Sequence, residues 1–113
     1  MDTAIYSSSA GVFDAMPAFA GGDSAFNLYM RANLKYPEDA IENGLGGTCY
    51  VTFVINKDGT VSNVRILNGV AGCASCDAEA LHFFSVMPPW IPGTKNGVPV
   101  RVQMNMPIKF SSR

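Results

Sequence analysis

Apolar and polar residues alternate most regularly at the end of the chain, in VPVRVQMNMPIKF from Val98 to Phe110. Val98, Val100, Val102, Met104 and Met106 share one face, and Pro99, Arg101, Gln103 and Asn105 share the other, because side chains along a strand point alternately to opposite sides. One apolar and one polar face describe an antiparallel strand that is buried on one side and wet on the other. Pro99 and Pro107 bracket its middle. Proline cannot donate a ladder hydrogen bond and therefore sits at edges and strand ends. The stretch reads as an edge strand, whose backbone groups between the prolines can take up another extended chain.

The rest of the chain supplies a sheet beneath that edge. A helix is expected over Ser24 to Lys35, with Asp23 or Ser24 as its cap and Ala25, Leu28, Tyr29 and Ala32 on one face, which Phe26 and Met30 widen, the spacing of an amphipathic helix. Pro37 stops it and opens a short helix to Asn43, which Gly44 ends. Gly47 to Asn56 is a strand with Cys49, Val51, Phe53 and Ile55 on its core face. Asn56-Lys57-Asp58-Gly59 is a tight hairpin signal leading to a second strand, Thr60 to Leu67. A main helix starts near Asp77, with a stripe of Ala80, Leu81, Phe84 and Met87 flanked by Phe83, and Pro88-Pro89 stops it. A turn at Asn96-Gly97 leads into the last strand. The expected fold is α+β: a small antiparallel sheet of about three strands with two main helices on one face.

The 113 residues suit one domain. Residues 1–15, which include Ser7-Ser8-Ser9, are expected to be a flexible lead-in or an expression remnant, and residues 16–113 the folded domain. Only 15% of residues are charged and the net charge is −1, with no basic stripe of the kind that binds nucleic acid. No apolar run approaches the roughly 20 residues that span a membrane, and the start lacks the basic and apolar regions of a secretion signal.

Chemistry has few candidates. Cys73-Ala-Ser-Cys76 at a helix start is open to three readings: a redox pair, a disulfide, or free thiols. A redox site of the familiar kind follows a parallel strand, whereas this one follows an antiparallel hairpin. Cys73, Cys76 and His82 have zinc-like spacing, but a fourth ligand has to come from Asp77 or from Cys49 on the sheet face. His82 lies about 200° around the helix from Ala80 and faces away from the core. One histidine, no nucleophile elbow and no phosphate-cradling loop argue against an enzyme. The carboxylates sit at helix starts and on exposed faces, and no cofactor or metal is expected.

NLKYPEDAIENGLGGTCYVTFVINKDGTVSNVRIL, DAEAL and MPPWIPGTKNGVPVRVQMNMPIKF together resemble the TonB C-terminal domain family, in the version found in Bacteroidetes-type members. The resemblance runs from Phe19 to Phe110. It is carried by Tyr36-Pro37 with Ala40, Gly46-Gly47, Asp58-Gly59, Asp77/Glu79-Ala80, Trp90-Pro92-Gly93 and Pro107-Ile108-Phe110. It implies a periplasmic domain of an energy transducer that binds the TonB box, a short extended segment of outer-membrane receptors. It also implies an inner-membrane helix, absent here, that engages ExbB–ExbD and couples the proton gradient to nutrient uptake. By that resemblance Tyr36 and Pro37 lie near the box, and the box pairs along Val98 to Met106.

Strand addition fits the residues themselves. About five ladder bonds at ~0.5–1.5 kcal/mol each, less the cost of ordering a peptide, give roughly micromolar binding. With Tyr36 and Pro37 as the resemblance implies, the expected partner-binding residues are Tyr36, Pro37, Val98, Val100, Arg101, Val102, Gln103, Met104 and Asn105. Arg101, Gln103 and Asn105 either read partner side chains or are plain solvated strand positions. Tyr36 either stacks on the peptide or closes the core at a helix end. The same kind of domain also resembles a sensing or scaffolding piece of other membrane proteins, such as sensor-type peptidases. A free edge can also pair with a second copy of its own chain, giving a homodimer.

Overall fold

In a computed structural model the structure describes residues 4–110. Its elements in order are β1 (Ile5–Ser7), α1 (Gly22–Asn33), α2 (Glu38–Glu42), β2 (Gly47–Ile55), β3 (Val61–Asn68), α3 (Ala74–Ser85), β4 (Gly93–Lys95) and β5 (Val98–Phe110). The sheet order is β1-β5-β2-β3, with β4 also paired to β5. The α+β class and all three expected strands are present, and two short strands add to the count. β5 has the bounds expected of it.

The core lies between one sheet face and the helices. Cys49, Val51, Phe53 and Ile55 of β2 are fully buried there beside Ile108 and Phe110 of β5. Trp90 is central to the aromatic packing. Its ring lies 5.7 Å from Phe19, 5.6 Å from Phe26 and 5.9 Å from Phe53, and its indole N–H points to the Met87 sulfur at 3.0 Å. Aromatic contacts at these spacings add to the gain from burial alone.

Both main helices bury most of the expected faces but turn out one leucine each. In α1 the inward residues are Phe26, Tyr29, Met30 and, just beyond it, Leu34, while Leu28 is 65% exposed and Ala32 is exposed. The aromatic cluster draws Phe26 inward, which turns Leu28 out. α1 starts at Gly22 behind Gly21 (φ 92°), with no side-chain cap from Asp23 or Ser24. α3 begins three residues before Asp77, because the Cys73 sulfur accepts the Cys76 N–H and caps the first turn. Its buried stripe is Cys76, Ala80, Phe83 and Phe84, and Leu81 lies outside it.

β5 is not the edge of the sheet. β2 runs antiparallel along one side, from Val102 opposite Ile55 to Phe110 opposite Gly47. β4 pairs with Val98–Val100 through the Asn96-Gly97 turn, whose φ angles of 54° and 78° fit the two-residue hairpin geometry. β1 pairs in parallel with Arg101, Val102 and Gln103. Residues 4–15, expected as part of a flexible lead-in, thus carry a strand and further pairing of Asp14 and Ala15 with Thr94; residues 1–3 lie outside the described residues. Three strand residues are too few to show a period of two, so this pairing had no visible pattern.

The β2–β3 turn is locked to the Trp90 segment. Gly59 has φ 88°, its carbonyl accepts the Trp90 N–H at 2.7 Å, and a Cβ there would sit 1.9 Å from the Trp90 carbonyl oxygen. Gly59→Ala is expected to cost about 3 kcal/mol or more in urea unfolding, since neither backbone can yield without breaking the turn. Gly72→Ala, also at positive φ (72°) but with open space around it, is expected to cost only about 1 kcal/mol.

Candidate functional site

The two sides of β5 are not equivalent, and hydrogen bonds show which residues face which way. The Ser8 N–H donates to the Gln103 carbonyl at 2.9 Å, so Gln103 presents its backbone groups away from β2. Backbone groups of successive strand residues alternate between the two neighbours. Arg101, Gln103, Asn105, Pro107 and Lys109 therefore face the outer side, and Val102, Met104, Met106, Ile108 and Phe110 face β2. At the hairpin, Thr94 gives its N–H and C=O to Ala15 and Asp14. Val98 and Val100 therefore hold the bonded positions opposite β4, and Pro99 faces outward. Both prolines of β5 thus fall where their missing N–H leaves the β2 and β4 ladders intact.

Among the described residues, β1 and Ser8 cover the outer side only as far as Gln103. Beyond it the edge offers the N–H of Asn105 and Lys109 and the carbonyls of Asn105, Pro107 and Lys109. The side chains of these three residues are exposed. This open edge ends beside α1. There Met30, Arg31, Leu34, Tyr36, Lys109 and Phe110 line a cleft of about 220 Å³, and Tyr36, Lys109 and Phe110 also border a second of about 340 Å³ with Leu45 and Gly46. The first has an apolar floor and two cations, Arg31 and Lys109.

The expected binding residues divide accordingly. Tyr36 lies at the open end of the edge, its ring 6.1 Å from Phe110 and its hydroxyl donating to the Leu45 carbonyl. It closes the core at the helix corner and lines both clefts. Pro37 faces a different cleft, of about 600 Å³, with Glu79 and His82. Asn105 lies on the open edge. Val98 and Val100 have their backbone groups engaged by β4, and Val100, Val102 and Met104 turn their side chains inward. Arg101 donates to the Asn56 amide oxygen at 3.0 Å, and Gln103 to the Thr52 hydroxyl at 3.0 Å. Both side chains are half-buried and tie β5 to β2 across the face of the sheet opposite the helices. Lys109, Phe110 and Arg31 were not expected at the site. The alternation past Pro107 placed Lys109 on the polar face, but nothing local marked Arg31 as its neighbour.

The candidate chemical groups are engaged elsewhere. Cys73 and Cys76 form a disulfide, with Cα atoms 5.3 Å apart. Asp77 accepts the Val70 N–H at 3.0 Å, Glu79 the Lys35 N–H at 2.8 Å, and Asp39 the Ser75 hydroxyl at 3.0 Å. Asp58 caps the hairpin, and bonds from Thr60 hold its carboxyl below the usual range. Among the described residues no cluster of three or more His, Cys, Asp and Glu is placed to hold a metal, and no helix is long and apolar enough to cross a membrane.

Comparison with known proteins came out as follows. Residues 32–112 match the family described as Gram-negative bacterial TonB protein C-terminal. Two solution NMR structures of the Helicobacter pylori TonB C-terminal domain share the fold. One has a TM-score of 0.56 and 22% identity over 77% of this chain and 77% of its own. The other has a TM-score of 0.53 and 20% identity over 78% of this chain and 90% of its own. No curated protein matches the chain.

Cys49, the free cysteine, is fully buried, and burial, with the Asp77 carboxylate beside it, pushes its thiol up from 9.0 to about 11. The raised value means that the unfolded chain loses this proton first. Its contribution is whole below pH 9 and is lost as pH rises through 11. Stability is expected to fall by roughly 2 kcal/mol across that window, and Cys49→Ala to flatten this part of the pH profile, as read by urea unfolding at pH 8, 9, 10 and 11.

Proposed function

We propose that this chain, which belongs to the family of Gram-negative bacterial TonB protein C-terminal domains, binds the TonB box of outer-membrane receptors by adding it as a strand to β5. The observation that carries this reading is the open outer edge of β5 from Asn105 to Lys109, ending in the cleft of Tyr36, Arg31 and Lys109. In this reading the domain works in the periplasm as the receptor-facing part of an energy transducer. A membrane helix engaging ExbB–ExbD belongs to the fuller assembly.

An added strand gains main-chain bonds that demand little of its sequence. The open edge supplies two donors and three acceptors. At ~0.5–1.5 kcal/mol each, less the ordering cost, these give weak binding, tens of micromolar or above. The cleft supplies selectivity. Its apolar floor takes one side chain of the segment, and Arg31 and Lys109 favour a neighbouring carboxylate.

The test is an NMR titration of the domain with a TonB-box peptide from a receptor of the same organism. The amides of Asn105 and Lys109 and the ring of Tyr36 are expected to shift together, with a single dissociation constant. Unmoved resonances at all three at millimolar peptide would sink the reading and favour a sensing or scaffolding role. Lys109→Glu is expected to weaken binding about three- to tenfold without unfolding the domain, as befits an exposed charge near a partner.

A further inference from the structure

β1 lies where a bound strand would lie. It occupies the outer side of β5 at Arg101, Val102 and Gln103, directly in line with the open stretch. We propose that Ile5–Ser7 is an intrachain competitor for the β5 edge, so that a receptor segment gains the full edge only by displacing it. This inference rests on the receptor-binding reading above.

Three observations support it. First, β1 is held lightly. Ile5 is 42% exposed, Ser7 is exposed and Tyr6 is half-buried, and none of the three belongs to the core cluster. The Tyr6 ring contacts lie outside the core, at the edge of the half-buried Phe13 at 6.2 Å and at the Lys95 ammonium at 4.9 Å. Segments with few buried contacts open at a fraction of the global unfolding cost.

Second, the chain just beyond β1 is anchored. Asp14 bonds to Thr94 through its N–H, its carboxylate accepts the Gly97 N–H at 2.6 Å, and Ala18 pairs with Ile91. Release of β1 therefore does not release residues 14–18. Between the two lies a small-residue turn, Ser8-Ser9-Ala10-Gly11, with Gly11 at φ 73° and nothing close to it. Past Ser8, whose N–H bonds Gln103, the exposed Ser9, Ala10 and Gly11 form the natural pivot.

Third, the same tether keeps β1 near the edge at high effective concentration. A partner that needs the covered positions sees only the fraction of molecules with β1 released, and its apparent affinity falls by that fraction. If β1 is docked nine-tenths of the time, the loss is about tenfold.

The experiment compares three full-length chains: the natural sequence, Ser8→Pro and Tyr6→Ala. Ser8→Pro removes the N–H that bonds Gln103, and Tyr6→Ala removes the clasp around the ring while keeping the backbone. Binding of the receptor peptide is followed by NMR, with thermal unfolding read on Trp90 fluorescence to check that the core is intact. Expected is binding about five- to tenfold tighter in Ser8→Pro, a smaller gain in Tyr6→Ala, and peptide-induced shifts that now include the Arg101 and Gln103 amides. In the natural chain, Tyr6 and Ser8 should move toward unstructured shifts as peptide saturates. Equal affinity in all three chains, with Tyr6 and Ser8 unmoved, overturns the competition and leaves receptor binding standing. Binding by none of the three overturns both.

Discussion

A strand inside a sheet must satisfy its backbone on two sides, and among the described residues β5 does so completely on only one of them. Its β2-facing residues form an unbroken ladder from Val102 to Phe110 and continue into β4 at Val100 and Val98. Among the described residues, the outward-facing ones have a backbone partner only where β1 and Ser8 reach them. Pro99 and Pro107 fall in the outward set, so neither breaks the inner ladder. Had either proline stood one residue along, it would have removed a hydrogen bond of the inner ladder.

The rigidity of that strand comes from the core beneath it. Trp90 joins the N-terminal aromatic Phe19, the helix aromatic Phe26 and the sheet aromatic Phe53 in one cluster. Its backbone is bonded to Gly59 in the β2–β3 turn, and the following Ile91 to Ala18. The segment between α3 and β4 therefore pins the hairpin, the N-terminal strap and the helices at once. At the opposite end Tyr36 holds the α2–β2 corner against Phe110. The open stretch of β5 thus borders a fixed corner at one end and a lightly held strand at the other.

Much of this was legible in the sequence, because the long periodic stretches obey strong rules. The alternation over Val98 to Phe110, the core face of Cys49, Val51, Phe53 and Ile55, and the turns at Asp58-Gly59 and Asn96-Gly97 all report local backbone requirements. The helix faces were less legible. Phe26 and Phe83, expected at the margins of the two stripes, are buried, whereas Leu28 and Leu81, expected within them, are exposed, because packing centred each face on the larger rings. β1 was illegible for a different reason: its pairing depends on a strand about a hundred residues away, and three residues carry no period. The edge was therefore read as free along its whole length, when half of it is taken. The cleft beside Lys109 was hidden likewise, since Arg31 and Lys109 meet only once α1 is folded against the end of β5.

The division of labour along β5 follows from where its side chains are bound. Arg101 and Gln103 lie on the wet face, where a free polar side chain could read a partner, but each is hydrogen-bonded to Asn56 or Thr52 of the same sheet face. Breaking those bonds to contact a partner would return about what it costs. Discrimination along this half of the strand is therefore weak, and the main chain alone recommends it to any extended segment, including the domain's own. Selectivity has to come from the other end, where Tyr36, Arg31, Lys109 and Phe110 combine apolar surface with two cations beside backbone groups unpaired among the described residues. A domain built this way binds by geometry along its length and by chemistry at its tip, and the lightly held β1 sets how much of that length a partner can use.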